Sequence, residues 1–370
     1  MKIVYSTQYQ ISNYNTVSNC LNYLIFVAYN NTGQNLHERN RHIICFDLVE
    51  SKDKWSFPIT DFIPSNYGGI VEIFPFNFEC FCFTADGVSY FTNYENGKVL
   101  RKTHHYPMYC SEDIFLTIRL KEDKQEFIRL QLESDTKLEF ELWSTEYEGR
   151  GNIICVTKDK FIFQDWDRRI ANAHSLLTGE KEWTFDFGSL GTDYWGERLQ
   201  ITGEVSAVED KIVLPLSDRL VVIEESRGEV VWDTSSKGIG LGGKNTVVVG
   251  NVIYAFNLEF IYQFDVYTGE VLEKVSYAEE LKKYKVPRGE RLFLVSDKYI
   301  IMAVRLEGWI LFFDKSTYKV VDKLSANDFY GDKYESIIIA DMQLIKDKLL
   351  VRDGGLKLHI ISLEDESVSI

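Results

Sequence analysis

The chain has 370 residues, 45% hydrophobic and 26% charged, with 21 Tyr and 24 Phe against 6 Pro, and a formal net charge of -15. This composition excludes a disordered or membrane-embedded chain, and the acidic balance excludes a protein that grips a nucleic-acid backbone, which takes a basic stripe. Aromatic-rich, proline-poor sequence favours half-buried strands, and the length calls for several domains or one repeating architecture.

In chain order, residues 1–20 (MKIVYSTQYQISNYNTVSNC) alternate polar with apolar and lack the apolar run of a secretory leader; Leu21 to Ala28 is apolar but too short to span a bilayer. A cytoplasmic location without a membrane partner is the expectation. Then a hairpin pattern recurs: CFDLVESKDKWSF, YFTNYENGKVLRK, HSLLTGEKEWTF, VIEESRGEVVWDT, FDVYTGEVLEKV and FFDKSTYKVVDK align without gaps, placing Ser51, Gly97, Gly179, Gly228, Gly269 and Tyr318 at one turn position. Two weaker copies, RLQLESDTKLEF around Asp135 and HIISLEDESVSI around Glu366, complete a series spaced by about 45 residues, the length of a propeller blade. Glycine suits the turn because positive φ costs any residue with a Cβ, so Tyr318 is the strained copy. Four residues on, Trp55, Trp183 and Trp232 can each wedge a large apolar face between neighbouring sheets.

Two further alternating segments precede each turn, such as IICVTKD and KFIFQDW before HSLLTG, making four strands per repeat. The predicted fold is therefore all-β: a single β-propeller over residues 1–370 with eight four-stranded blades, seven being the alternative. An open solenoid would need polar capping sequences that are not evident at either end. The six cysteines (Cys20, Cys45, Cys80, Cys82, Cys110, Cys155) lie in the first half, mostly in apolar runs such as FECFCF, and read as reduced core thiols.

The succession of apolar strand, polar residue, TG-type turn and Trp, in LLTGEKEW, DVYTGEV and EESRGEVVW, resembles the quinoprotein-like propeller repeat. The resemblance covers residue 40 to the end and implies an eight-bladed ring; it speaks to fold more than function. Quinoprotein dehydrogenases would be expected to carry adjacent cysteines beside the cofactor, acidic calcium ligands and a leader. Here Cys80 and Cys82 are two apart, on one face of a strand, and no cofactor is expected.

Other chemistry is thinly represented. GIGLGGKNT matches a phosphate loop at Gly238, Gly243 and Lys244, but Asn245 replaces Ser or Thr and a strand follows where a helix is required. His104, His105 and Cys110 lack a fourth metal ligand. His37, His42, His174 and His359 read as surface or satisfied edge groups, and a triad assembled from distant blades would leave no local trace. Asp165, Asp167, Arg168 and Arg169 (QDWDRR) read as a solvated turn with internal ion pairing. No catalytic, cofactor or metal residue is assigned.

Loops between repeats are the functional clue. FPITDFIPSNYGG, RKTHHYPMYCSE, GSLGTDYWGERLQ, TSSKGIGLGGKN, YAEELKKYKVPRG and SANDFYGDKYES run to about a dozen residues and, in a propeller, emerge on one face. They carry the candidate partner-binding residues Tyr67, His105, Tyr106, Tyr194, Trp195, Arg198, Phe329, Tyr330 and Asp332. The reading is a non-catalytic protein-binding propeller, of an immunity, antitoxin or scaffold kind, whose protein partner the acidic charge biases toward basic. The alternative is an enzyme or small-ligand or carbohydrate binder using the central funnel.

Overall fold

The computed structural model describes residues 1–6, 10–16, 22–30, 40–62, 71–111, 114–121, 124–132, 139–147, 150–235, 239, 241, 245–287, 290–331 and 337–363. Among these, eight four-stranded antiparallel sheets make the chain an all-β, eight-bladed β-propeller. By internal contacts they divide into two units of four blades, Met1–Tyr147 with Asn327–Ile370, and Glu148–Ala326.

In the first unit, strand β1 (Lys2–Ser6) precedes three blades of sequential order: β2 to β5 (Gln10–Thr16, Tyr23–Asn30, Asn40–Asp47, Lys52–Pro58), β6 to β9 (Ile73–Pro75, Cys80–Ala85, Val88–Asn93, Val99–Thr103) and β10 to β13 (Pro107–Ser111, Ile114–Lys121, Lys124–Leu132, Glu139–Tyr147). The second unit holds β14 to β17 (Gly151–Val156, Lys160–Asp165, Ile170–Ser175, Lys181–Asp186), β18 to β21 (Ser206–Val208, Lys211–Pro215, Leu220–Glu224, Val230–Asp233), β22 to β25 (Thr246–Val249, Val252–Phe256, Phe260–Asp265, Val271–Ser276) and β26 to β29 (Arg291–Val295, Tyr299–Val304, Trp309–Asp314, Val320–Leu324). The chain then returns to the first unit with β30, β31 and β32 (Ile339–Ile345, Lys348–Asp353, Leu358–Ser362), and the fourth strand of this blade is β1, paired Lys2 to Ser362. That place is the one assigned from sequence to a strand after Glu366. Glu366 itself, like Asp135, lies outside the described residues.

Inner strands are buried on both faces, which is why they read as continuous apolar runs. Strand β7, CFCFTA, is buried at every position. Its Phe81, Phe83 and Ala85 pack with Ile25, Ile43 and Cys45 of the preceding blade, while Cys80 and Cys82 pack with Phe115, Ile128 and Leu130 of the following one. In the second unit β19 does the same, with Ile212 and Leu214 against Ile162, Ala173 and Trp183, and Val213 against Ile253 and Phe264. Each such side chain contributes about 1.5–3 kcal/mol of burial. Cys45, Cys80, Cys82, Cys110 and Cys155 are free thiols.

The turn position is built by local chemistry. Ser51, Gly97, Gly179, Gly228, Gly269 and Tyr318 all have positive φ, and at five of the six a side-chain oxygen four residues earlier accepts the two intervening amides: Asp47, Asn93, Ser175, Asp265 and Asp314. The tryptophans explain three of the glycines further. Trp55, Trp183 and Trp232 lie over Gly97, Gly228 and Gly269 of the next blade, where an added Cβ would meet the indole at 2.9, 2.6 and 2.4 Å. Each indole N–H donates to a carbonyl beside that turn, Tyr94, Glu225 and Val266, at 2.7, 2.8 and 2.8 Å. At Tyr318 the pairing is reversed: Glu273 stands where the preceding blade would supply Trp, and the Tyr318 ring fills the gap, its hydroxyl donating to the Glu273 carboxylate.

Candidate functional site

Between β17 and β18 the chain leaves the core through a short 3-10 turn, Phe187–Leu190, capped by the Asp186 carboxylate, which accepts from the Gly188 amide. It then makes a small hairpin. Thr192 bridges to Arg198, the Asp193 amide donates to the Glu197 carbonyl, and Asp193 Oδ1 accepts from the amides of Trp195 and Glu197 at 3.0 and 2.8 Å. Gly196, with φ of 80°, closes the tip. Both legs are pinned: the buried Arg219 guanidinium donates to the carbonyls of Leu190 and Thr192 at 3.1 and 2.7 Å while paired with Asp218 at 2.8 Å, and Arg169 donates to the Arg198 carbonyl at 2.8 Å. Leu199, buried in the blade core, anchors the exit. On this braced loop Tyr194 and Trp195 are 85% and 75% exposed, with their rings edge to face at 5.8 Å.

A third exposed aromatic stands on the neighbouring QDWDRR turn. The QDWDRR turn repeats the capped-turn chemistry: Asp165, wholly buried, accepts from the amides of Asp167 and Arg168 and pairs with the Arg168 guanidinium at 3.7 Å. That geometry projects Trp166 outward, 56% exposed, with its indole N–H held by the Asn152 side chain. Arg169 of this turn ties it to the hairpin backbone at the Arg198 carbonyl. The sequence reads QDWDRR as a solvated turn with internal ion pairing; the Asp165–Arg168 pair is present, but Asp165 is wholly buried, Arg169 binds the hairpin instead, and neither Trp166 nor Arg219 carries a sequence signal of its place.

The other predicted contact residues are placed differently. His105 and Tyr106 are not in a long loop: β9 ends at Thr103 and β10 starts at Pro107, leaving a three-residue link. The polar spelling KTHHYP hides two strand ends that pair with β8 and β11. The link is tied down by hydrogen bonds from Ser89 to the His105 carbonyl and from Thr117 to the Tyr106 carbonyl, and the Tyr106 hydroxyl donates to Glu72, so burial and that carboxylate push its phenol above the usual range. Phe329 and Tyr330 fold back onto the closing blade. The loop here is partly helical, α2 spanning Ala326–Tyr330, as the YAEELKK connection is in α1, Ala278–Lys283. Tyr67 and Asp332 lie outside the described residues, as do Gly238, Gly243 and Lys244 of the phosphate-loop-like segment.

Phe329 and Tyr330 cover a polar chain, buried at His359 and Asp353, that joins distant segments. The imidazole of His359, fully enclosed, contacts Ser6 Oγ through Nδ1 at 2.8 Å and Asp353 Oδ2 through Nε2 at 3.2 Å. Asp353 also accepts from the Tyr330 hydroxyl and the Lys357 amide. Burial works against ionising Asp353, but these donors outweigh it and hold its carboxyl below the usual range. The residue types, and the engagement of both imidazole nitrogens, are those of a hydrolytic triad; here they come from β1, β32 and β31 of one blade, with two aromatic rings packed edge-on over the imidazole. The arrangement is a clasp that fixes β1 in the last blade.

No family model matches the chain, and no curated protein matches it. Among solved structures it is similar to BamB from Moraxella catarrhalis, at 11% identity and a TM-score of 0.57 over 98% of this chain and 100% of that one. It is also similar to the WD40 domain of SCAP from fission yeast, at 12% identity and 0.55 over 99% and 98%. These likenesses carry the propeller fold. No helix among the described residues is long and apolar enough to cross a membrane.

Proposed function

We propose that this protein is a non-catalytic, protein-binding propeller whose contact surface is the braced hairpin bearing Tyr194 and Trp195, with Trp166 and Arg198 beside it. The observation that carries this reading is the cost of the arrangement: two large apolar rings stand in water on a loop rigidly held by Asp193, Arg169 and Arg219. Trp, Tyr and Arg are the residues that anchor interfaces, and a loop already held in one conformation loses little entropy on binding. The net charge of -15 steers basic partners toward the body, while the contact itself is aromatic. Among the described residues the five cysteines are free thiols, which suits a reducing, cytoplasmic setting, and the Gly and Trp turn pairs support kinship with the quinoprotein-like repeat.

Quantitative capture from native lysate by the intact protein tests the reading, with Trp195→Ala and Tyr194→Ala as paired baits. A stoichiometric partner is expected on the intact protein, bound about thirtyfold more weakly by Trp195→Ala, which is about 2 kcal/mol. Both variants should unfold within about 0.5 kcal/mol of the parent, since the rings pack on little. Capture unchanged by either substitution would refute the site.

A further inference from the structure

A reactive pair lies at the joint between the blades β2 to β5 and β6 to β9. Asn96 and Gly97 form the single Asn-Gly step in the 370 residues, and they stand at the turn between β8 and β9 with Asn96 exposed. In such a step the glycine nitrogen can attack the preceding side-chain amide, since glycine brings no Cβ to block the approach. The bond from the Gly97 nitrogen to Asn96 Cγ forms as that nitrogen gives its proton to solvent, and the Cγ–Nδ2 bond breaks to release ammonia. Water then opens the cyclic imide. Cleavage on the Cγ side leaves aspartate, whereas cleavage on the main-chain side leaves isoaspartate, so the net reaction takes up one water and releases one ammonia.

In the folded turn both reacting groups are engaged elsewhere. The Gly97 amide donates to the Asn93 carbonyl at 3.0 Å, and Asn96 Oδ1 accepts from the Lys98 amide at 2.9 Å. The preceding blade then holds the turn shut. An added Cβ at Gly97 would meet the Trp55 indole at 2.9 Å, so rotation of the Asn96–Gly97 peptide drives the backbone into the ring. That ring is itself tied to the Tyr94 carbonyl at 2.7 Å, and Glu95 accepts from Tyr23 and Lys54 of the same blade at 2.7 and 2.5 Å. Attack therefore waits for the indole to lift, and its rate is that of a free turn multiplied by the fraction of molecules in which the joint is open. Isoaspartate adds a carbon to the main chain inside the turn, which destroys the seat that Gly97, at φ of 68°, offers the indole. We infer that Asn96 is a site of spontaneous deamidation gated by Trp55, and that its conversion to isoaspartate leaves this joint permanently unlatched. The site stands apart from the aromatic hairpin and does not depend on it.

The test ages the intact protein in mildly alkaline buffer and follows residue 96 by peptide mass spectrometry, with a synthetic peptide of Thr92–Val99 as the ungated reference. The folded protein should convert at least about tenfold more slowly than the peptide, and Trp55→Leu should remove most of that difference. Trp232→Leu, which opens the matching clamp over Gly269 in the second unit, should leave the rate at Asn96 unchanged. Where Trp55→Leu does not fold, Trp55→Phe, which keeps a ring but loses the donor to Tyr94, should give an intermediate rate. Aged chains carrying isoaspartate should unfold at lower urea than the parent, whereas Asn96→Asp, with the charge but not the extra carbon, should keep the parent midpoint. Conversion of the folded parent at the rate of the peptide, or a rate that neither Trp55 variant moves, would overturn the gate. Equal midpoints for the isoaspartate and Asn96→Asp chains would overturn the unlatching, and a residue 96 that stays asparagine even in the Trp55 variants would overturn the site itself.

Discussion

Replacing Gly269 by Ala tests the account of the turns, because two costs fall on one Cβ and a second glycine separates them. Gly269 and Gly250 have nearly the same φ, 64° and 58°, so alanine at either carries the same left-handed backbone penalty of about 1 kcal/mol. At Gly250 a Cβ meets nothing within 4 Å, whereas at Gly269 it lands 2.4 Å from the Trp232 indole. Ordinary carbon contacts are about 3.5–4.0 Å, so the ring must withdraw by more than an ångström. Withdrawal breaks the indole bond to the Val266 carbonyl, buried in the structure, and disturbs the stack of Trp232 on Phe264 at 5.9 Å. A lost buried bond costs about 1–3 kcal/mol and an aromatic pair about 1 kcal/mol. Gly250→Ala should therefore cost about 1 kcal/mol and Gly269→Ala about 3–5 kcal/mol, read from urea unfolding by far-UV circular dichroism. With Trp232→Leu already in place, the cost of Gly269→Ala should drop to about 1 kcal/mol. Equal costs at the two glycines, or a cost at Gly269 that survives removal of the indole, would refute the reasoning.

Arg219→Met should free the entry leg of the hairpin, at Leu190 and Thr192; amide exchange at Trp195 and Glu197 should rise by about tenfold or more, and unchanged exchange would show that Arg219 is not the brace. Asp353 should shape the acid limb of stability. Its folded carboxyl lies below its unfolded value of about 3.9, so its contribution is complete above that value and fades as pH falls through the folded one. Asp353→Asn should therefore flatten the fall in unfolding midpoint below about pH 4, whereas parallel curves for variant and parent would deny the clasp that role. Burial pushes the Cys45 thiol up to about 12, so iodoacetamide at about pH 8 should leave it unmodified in the folded protein and label it fully in urea, by peptide mass spectrometry. Labelling of Cys45 at the rate of a free thiol in the folded state would contradict its burial.

The repeat was legible because its chemistry is local. A polar residue, a left-handed turn and a Trp four residues on are all set within one hairpin, so blade number and turn positions could be read without knowing what packs against what. The closing strand was not legible, since KIVYS at the start of the chain carries no sign that its partner is LHIIS. Loops divided along the same line. Tyr194 and Trp195 project because their own turn, through Asp193 and Gly196, makes them do so. Phe329 and Tyr330 fold back because of His359 and Asp353, residues remote in sequence whose burial nothing in SANDFY announces. Trp55 covers the Asn96–Gly97 turn only because two blades meet there, which spacing along one chain does not encode.

Ser6 and His359 touch across 353 residues of chain. During synthesis the first strand is therefore made long before anything exists for it to join, and the last sheet emerges one strand short. Closing a flexible loop of that length costs about 3 kcal/mol more than closing one of about ten residues, a difference that shrinks only as the sheets between them form. Until then Leu358–Ser362 offers bare main-chain donors and acceptors to any extended segment nearby. In a polysome that bare edge stands near the idle first strand of a sister chain, the contact from which a strand-exchanged dimer would start.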